Sequence, residues 1–350
     1  MAIDSRYYIH PADRAALKAL KAIPGFNQVM KAFMSVWNEK LFRVENMSTR
    51  LKVSEKQLKK YHNMLIAICE KLGIDVPDLF VELNVTPNAY TYGDTNPFIV
   101  ITSGLLERFP DDLIETVIAH ECGHIACHHT LYTTMGSLIM NGAFLLSREA
   151  PVITIPLRMA FAYWMRCSEY SADRAAMICD KDSNSIARTC MYLAGFNPDF
   201  SDEADINAFI EQANDYIELT KDSKVNKALE FYQFWDIDHP LNAVRAHEAV
   251  EWAKTDDYKR IIRYLNKEAG SDAFVPVPDS SKRLIGKAYE EVIKTLKDSG
   301  FKNVLAFDIE SKDRMKKHGA VIEISIDGKE QFKDDEWFDR DASVSIRYKK

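Results

Sequence analysis

The stretch HECGHIACHH, residues 120–129, places four histidines and a glutamate within one short run. His120 and His124 are four residues apart. On a helix that spacing puts both imidazoles on one face, one turn apart, where a single metal ion can bridge them. Glu121 follows the first histidine directly and is positioned to take a proton from a metal-activated water. The HExxH pattern alone has false positives, so its context must support it. PDDLIETVIAHECGHIACHHTLYTTMG (110–136) reads as a helix: Pro110, Asp111 and Asp112 mark its start, and Leu113, Ile114, Val117, Ile118, Ile125 and Leu131 recur at helical intervals.

A catalytic zinc site needs a third protein ligand and an open position. Downstream, RCSEYSADRAA (166–176) holds Glu169 and Asp173, again four apart on an expected helix. Glu169 is the candidate third ligand, and Asp173 the candidate acceptor for the free ring N–H of His120. The alternative for this pair is a solvated acidic face. His128 continues the stripe of His120 and His124, but three positions over eight residues span roughly 12 Å of helix, too far for one ion. His128 and His129 are therefore expected in structural or outer positions. In DIDHPLNAVRAHEA (236–249), His239 precedes a proline at a helix entrance, from which it can reach over a cleft to a developing oxyanion. Arg245 on that helix is expected to hold an acidic partner. The plain alternative for His239 is a helix cap.

These residues need elements to position them. Residues 11–73 read as helices, with Ser54 and Gln57 as a capping box and Gly73 as a stop. DLFVELN (78–84) and NAYTYGDTNPFIVIT (88–102) read as short strands, the latter two joined by a Gly-Asp-Thr-Asn-Pro turn. Residues 137–166 are the most apolar stretch, but Asn141, Arg148, Glu149, Pro156 and Arg158 interrupt it. Neither half reaches the roughly 18–20 apolar residues of a simple span, so buried or cleft-capping helices are expected over membrane contact. Helices continue to about residue 267. AGSDAFVPVPDSSK reads as a linker, and a helix at 287–298 precedes strands near 303–309, 320–327 and 342–348, with Asp327-Gly328 as a hairpin turn. The expectation is an α+β protein: a mostly helical domain over 1–268, with a helical part at 1–73 and a small β-sheet beside the active-site helix, then a linker at 269–282 and a small α/β module at 283–350.

Composition narrows the function. A net charge of −7 over 350 residues argues against nucleic acid as a partner. The six cysteines form no CxxC pair and fall within apolar helical patterns, which suits a reducing compartment without disulfides. The first twenty residues carry no basic-then-apolar pattern of a secretory leader. A cytoplasmic location is expected, with the inner face of a membrane as the alternative.

HECGH, SEYSADRAA and DHPLNAVRA, preceded by NAYTYG, together resemble the zinc metallopeptidases typified by the bacterial heat-shock protease HtpX and the type I CAAX prenyl proteases, which are gluzincins. The likeness covers roughly residues 55–255. It implies a zincin-like fold and one Zn2+ per chain held by His120, His124 and Glu169, with Glu121 as general base. It further implies Asp173 behind a histidine ligand, His239 near the scissile carbonyl and Arg245 close by. Asn88, Ala89 and Tyr90 fall on the family's strand beside the active-site helix, where substrate adds as an extra strand. The chain departs from HtpX in lacking clear transmembrane helices. Residues 283–350 are weakly similar to PASTA modules. The expected activity is a zinc endopeptidase acting on peptides or proteins. The competing class is a zinc-stabilised, catalytically weak or latent protein that binds unfolded segments.

Overall fold

The computed structural model describes residues 3–140, 155–198, 203–221, 242–266, 274–310, 317–334 and 336–350. The chain divides into two compact units, Met1–Tyr258 and Lys259–Lys350. The expected α+β, mostly helical organisation is what the structure has.

The first unit opens with helices α1 (Pro11–Ala22), α2 (Phe26–Val36) and α3 (Glu39–Thr49). Pro11 occupies the first turn of α1, where its missing N–H costs nothing, and the His10 side chain accepts the N–H of Ala12. Strand β1 (Leu51–Lys52) and helix α4 (Lys59–Leu72) follow. The expected capping box is corrected here. Ser54 and Gln57 bond to each other through backbone groups, and α4 begins beyond them, after Leu58 in the left-handed region. Gly73 does end α4, also left-handed.

Strands β2 (Asp78–Glu82), β3 (Ala89–Tyr92) and β4 (Phe98–Thr102) complete a four-stranded sheet in the order β1-β2-β4-β3. β2 runs parallel to β4, and β3 runs antiparallel to it. Every residue of β4 is buried, as its unbroken Phe-Ile-Val-Ile run requires. β3 ends the order, so one of its edges has no partner strand in this sheet.

After α5 (Ser103–Arg108) comes the helix carrying the histidine motif, α6 (Asp111–Ala126). Asp111 and Asp112 lie in its first turn, where negative charge suits the exposed N–H groups. The helix expected over 110–136 is in fact two. α6 ends at Ala126, His128 takes φ +58°, and α7 (Thr130–Met140) starts anew. The break turns the chain so that His128 is exposed and His129 buried.

The 26-residue helix α8 (Ile155–Asp180) packs along α6. Within the apolar 137–166 stretch, residues 137–140 belong to α7 and 155–166 to α8; 141–154 lie outside the described residues. Leu157, Phe161, Trp164 and Met165 of α8 join Ala16, Leu20, Phe26 and Phe33 in one buried cluster. No helix among the described residues is long and apolar enough to cross a membrane. Helices α9 (Ser185–Leu193), α10 (Ile206–Lys221), α11 (Asn242–Lys254) and α12 (Asp256–Leu265) follow. All six cysteines are buried and unpaired.

In the second unit, β5 (Phe274–Pro276) pairs antiparallel with β8 (Trp337–Asp339), so part of the expected linker is a strand. Helices α13 (Ser281–Leu284) and α14 (Tyr289–Asp298) precede a sheet of β6 (Asn303–Ile309), β9 (Ser343–Lys349) and β7 (Val321–Ile326), in that order. Val292 and Leu296 of α14 close the core over Ile324, Val344 and Ile346. Asp327 and Gly328 turn the chain after β7, both at positive φ as a tight turn of that kind demands.

Candidate metal centre

The site forms where α6 and α8 touch. His120 and His124 lie one turn apart on α6, their rings perpendicular with centroids 4.9 Å apart. Their Nε2 atoms are 3.2 Å from each other. Glu169 of α8 reaches both: Oε2 is 3.4 Å from His120 Nε2, and Oε1 is 3.2 Å from His124 Nε2. All three residues are buried. Ligands about 2.0–2.1 Å from a tetrahedral ion lie roughly 3.3 Å from one another, so this triangle matches the base of such a site. Among the described residues, His120, His124 and Glu169 are the group of His, Cys, Asp and Glu side chains that can hold a metal ion.

The close approach of α6 and α8 depends on Gly123, inside the histidine motif. A Cβ there would lie 2.7 Å from the Ala175 Cβ and 3.0 Å from the Ala172 Cα. Sequence reasoning passed over both the glycine and the alanines facing it. Their signal was present: small residues at 123, 172 and 175, interleaved with the candidate ligands.

Behind the triangle, Asp173 Oδ1 is 2.9 Å from His120 Nδ1 and accepts its N–H. Arg245, from α11, grips the same carboxylate with two donors, at 2.9 Å to Oδ2 and 2.5 Å to Oδ1, and its Nη1 is 3.4 Å from Glu169 Oε2. Burial works against the ionised carboxylate of Asp173, but the Arg245 guanidinium and His120 together outweigh it and hold the pKa below the usual range. Burial likewise disfavours charge on His120, yet Asp173 and Glu169 raise its pKa to about 10. His124 goes the other way, lowered by burial.

Glu121 is buried at the wall of a cavity of about 240 Å³. The hydroxyl of Thr91, on β3, donates to its Oε2 at 2.6 Å. Sequence reasoning missed Thr91, though it lies within the NAYTYG strand. The cavity is lined by the polar residues Asn88, His120, Glu121, Glu169 and Arg245 and by the apolar residues Ala89, Leu105, Val117, Ile186 and Leu193, among others. Asn88 and Ala89 thus reach the cavity. Tyr90 points to the other face of β3, where its hydroxyl donates to Glu82 at 2.7 Å and its ring packs with Tyr92. His239 lies outside the described residues.

A helix bearing two histidines and a glutamate, a second glutamate from another long helix and an adjoining edge strand define a metallopeptidase. The model of peptidase family M48 matches residues 55–253, and the chain belongs to that family. The chloroplastic plastoglobule-localized metallopeptidase 48 of Arabidopsis thaliana is 32% identical over 269 residues, covering 76% of this chain and 78% of that protein. Protease HtpX homolog 2 of Methanosarcina mazei is 22% identical over 169 residues, 41% of this chain and 58% of that protein. Among solved structures, that of S. mikatae Ste24p overlaps at a TM-score of 0.31 with 18% identity, over 67% of this chain and 64% of that one. The protein is therefore an HtpX-like protease, and its substrates are peptides or proteins.

Proposed function

We propose that the chain is a zinc-dependent endopeptidase carrying one Zn2+ held by His120, His124 and Glu169. The observation that carries this reading is the buried ligand triangle with edges of 3.2–3.4 Å beside a glutamate that opens on a cavity. Two imidazoles and one carboxylate are the donor set of catalytic zinc sites that keep one position open. Zinc bound there supplies Lewis acidity, polarising a carbonyl and making a water acidic near neutral pH.

The chain's own residues do the rest. Glu121 acts as the base, taking the proton of the attacking water and returning it to the leaving amine. Its Oε2 is occupied by the Thr91 hydroxyl, which leaves Oε1 for the proton. Asp173 and Arg245 fix the ring of His120. The apolar wall of Leu105, Val117, Ile186 and Leu193 takes a substrate side chain, while the substrate backbone aligns along β3 near Asn88, Ala89 and Tyr90. His239 is assigned the hydrogen bond to the substrate carbonyl oxygen as charge develops there.

Glu121→Gln tests this. Zinc content should stay near one per chain while peptide cleavage falls by roughly 10²–10⁴, the range for losing a general base. Cleavage at the wild-type rate would end the assignment of Glu121. A wild-type protein that binds zinc but cleaves no peptide would instead favour the binding-protein class.

A further inference from the structure

We propose that the N-terminal helix is part of the metal centre: Asp13, acting through His129, fixes the tautomer and orientation in which His124 presents Nε2 to the cation. The inference rests on the metal-centre reading above. Asp13 lies outside the 55–253 segment that matches the family.

Once His124 gives its Nε2 lone pair to a metal, the contacts behind it assign the remaining protons of the relay. His124 Nε2 faces His120 and Glu169, so Nδ1 is the nitrogen left for the interior. It is 3.1 Å from Nδ1 of His129. Two ring nitrogens at that distance share one proton. A neutral His124 that gives its Nε2 lone pair to a metal carries its proton on Nδ1 and donates it to His129. Nδ1 of His129 is then an acceptor, so the proton of that ring is on Nε2. That atom lies 2.9 Å from Asp13 Oδ2, which accepts it. The direction of the relay is set at its far end, because a carboxylate only accepts.

Asp13 is built for this role. It is buried, and besides His129 it receives the indole N–H of Trp164 at 2.9 Å on Oδ1 and the Ser171 hydroxyl at 2.6 Å on Oδ2. Three donors converge on one side chain, a demand a carboxylate meets and an amide does not. An asparagine turned to accept from His129 would set its NH2 against the Trp164 N–H. Turned the other way, it would donate to His129 and reverse the relay, moving the proton of His124 onto the metal-facing nitrogen. His129 is anchored independently: its backbone N–H donates to the His124 carbonyl at 2.9 Å, a contact made after the turn at His128. Asp13 and His129 are positioning residues, and neither reaches the cavity beside Glu121.

The test compares zinc affinity, by competition with a chromophoric chelator, across folded proteins checked by circular dichroism. Asp13→Asn and His129→Leu should each bind zinc about 10–100-fold more weakly, the usual loss when an outer partner of a ligand is removed. His129→Gln keeps the order, with its amide oxygen accepting from His124 and its NH2 donating to Asp13. It should hold affinity within about threefold of wild type. Phe33→Leu loosens the same buried cluster but bonds to neither Asp13 nor His129, so stability should fall and zinc affinity should not. If Asp13→Asn does not fold, the His129→Leu and His129→Gln pair decides. Wild-type affinity in Asp13→Asn or His129→Leu, or equal losses in His129→Leu and His129→Gln, would overturn the proposal. Absence of zinc from the wild type would instead overturn the metal-centre reading beneath it.

Discussion

Gly123→Ala places one methyl group at the contact that brings the two metal-binding helices together. The added Cβ would stand 2.7 Å from the Ala175 Cβ, 3.0 Å from the Ala172 Cα and 3.1 Å from the Ala172 carbonyl oxygen, whereas ordinary contact begins near 3.4 Å. The shortfalls are 3.4 − 2.7 = 0.7 Å, 3.4 − 3.0 = 0.4 Å and 3.4 − 3.1 = 0.3 Å. Two of the three obstacles are backbone, so no rotamer change relieves them, and α8 must move away by roughly half an ångström, a typical response to overpacking. The strain costs about 1–3 kcal/mol. The alanine returns about 1 kcal/mol of helix propensity. Stability therefore falls by about 0–2 kcal/mol. Metal affinity does not escape so easily, because ligand distances must hold to within about 0.2 Å, and the edges joining Glu169 to the two histidines are the ones that open. Zinc affinity should drop about tenfold or more, which is about 1.4 kcal/mol. Chelator competition measures the affinity and urea unfolding the stability, in the same preparation. Adding Ala175→Gly should restore part of the affinity, since the Ala172 backbone contacts remain. Unchanged zinc affinity in Gly123→Ala would refute the claim that this glycine sets the helix separation at the site.

Two further predictions concern charge. Removing one partner of the buried Arg245–Asp173 pair should cost about 3–5 kcal/mol, whereas Arg245→Met with Asp173→Asn together should cost far less than the sum; urea unfolding in excess chelator measures the cycle, and additivity within about 0.5 kcal/mol would show no coupling. Burial raises the pKa of Asp180 to about 6, against the hydrogen bonds from Ser185 and Thr116. The folded state then holds a proton that the unfolded chain releases near pH 4, so stability falls as pH rises from about 4 to 6, by at most about 3 kcal/mol. Asp180→Asn should be more stable than wild type at pH 7 and lose that advantage by pH 4; an advantage independent of pH would contradict the assignment.

What was legible in the sequence was whatever one element carries by itself. The i, i+4 spacing of His120 and His124 and of Glu169 and Asp173 named faces of α6 and α8, and those faces meet. Gly93 to Pro97 marked the turn between β3 and β4, and Gly73 the end of α4. Contacts that no motif carried were not legible. Nothing along residues 1–50 announces chemistry, yet Asp13 bonds to His129, 116 positions away. Thr91 reads as one more strand residue until the fold sets it against Glu121. The break between α6 and α7 was hidden for a different reason. It is made by a histidine at positive φ rather than by glycine or proline, and the apolar period continues across it.

The charges around the site say why a cation belongs there. Asp13, Glu121, Glu169 and Asp173 are four buried carboxylates, and Arg245 is the buried guanidinium among them. Buried charge left uncompensated is expensive, and one guanidinium does not balance four carboxylates. The excess reaches His120, whose pKa Asp173 and Glu169 raise against the effect of burial. A divalent ion on the ligand triangle answers the same excess with two charges instead of one, and it does so at the point where Glu169 and both Nε2 atoms converge. Arg245 bonds to Asp173 and approaches Glu169, so it neutralises the supports of the site while leaving the three ligand atoms clustered for the metal. The helices α6, α8 and α11 thus gather negative charge that no one of them could bury alone. The price of gathering it is a fold whose centre is best stabilised with the cation in place.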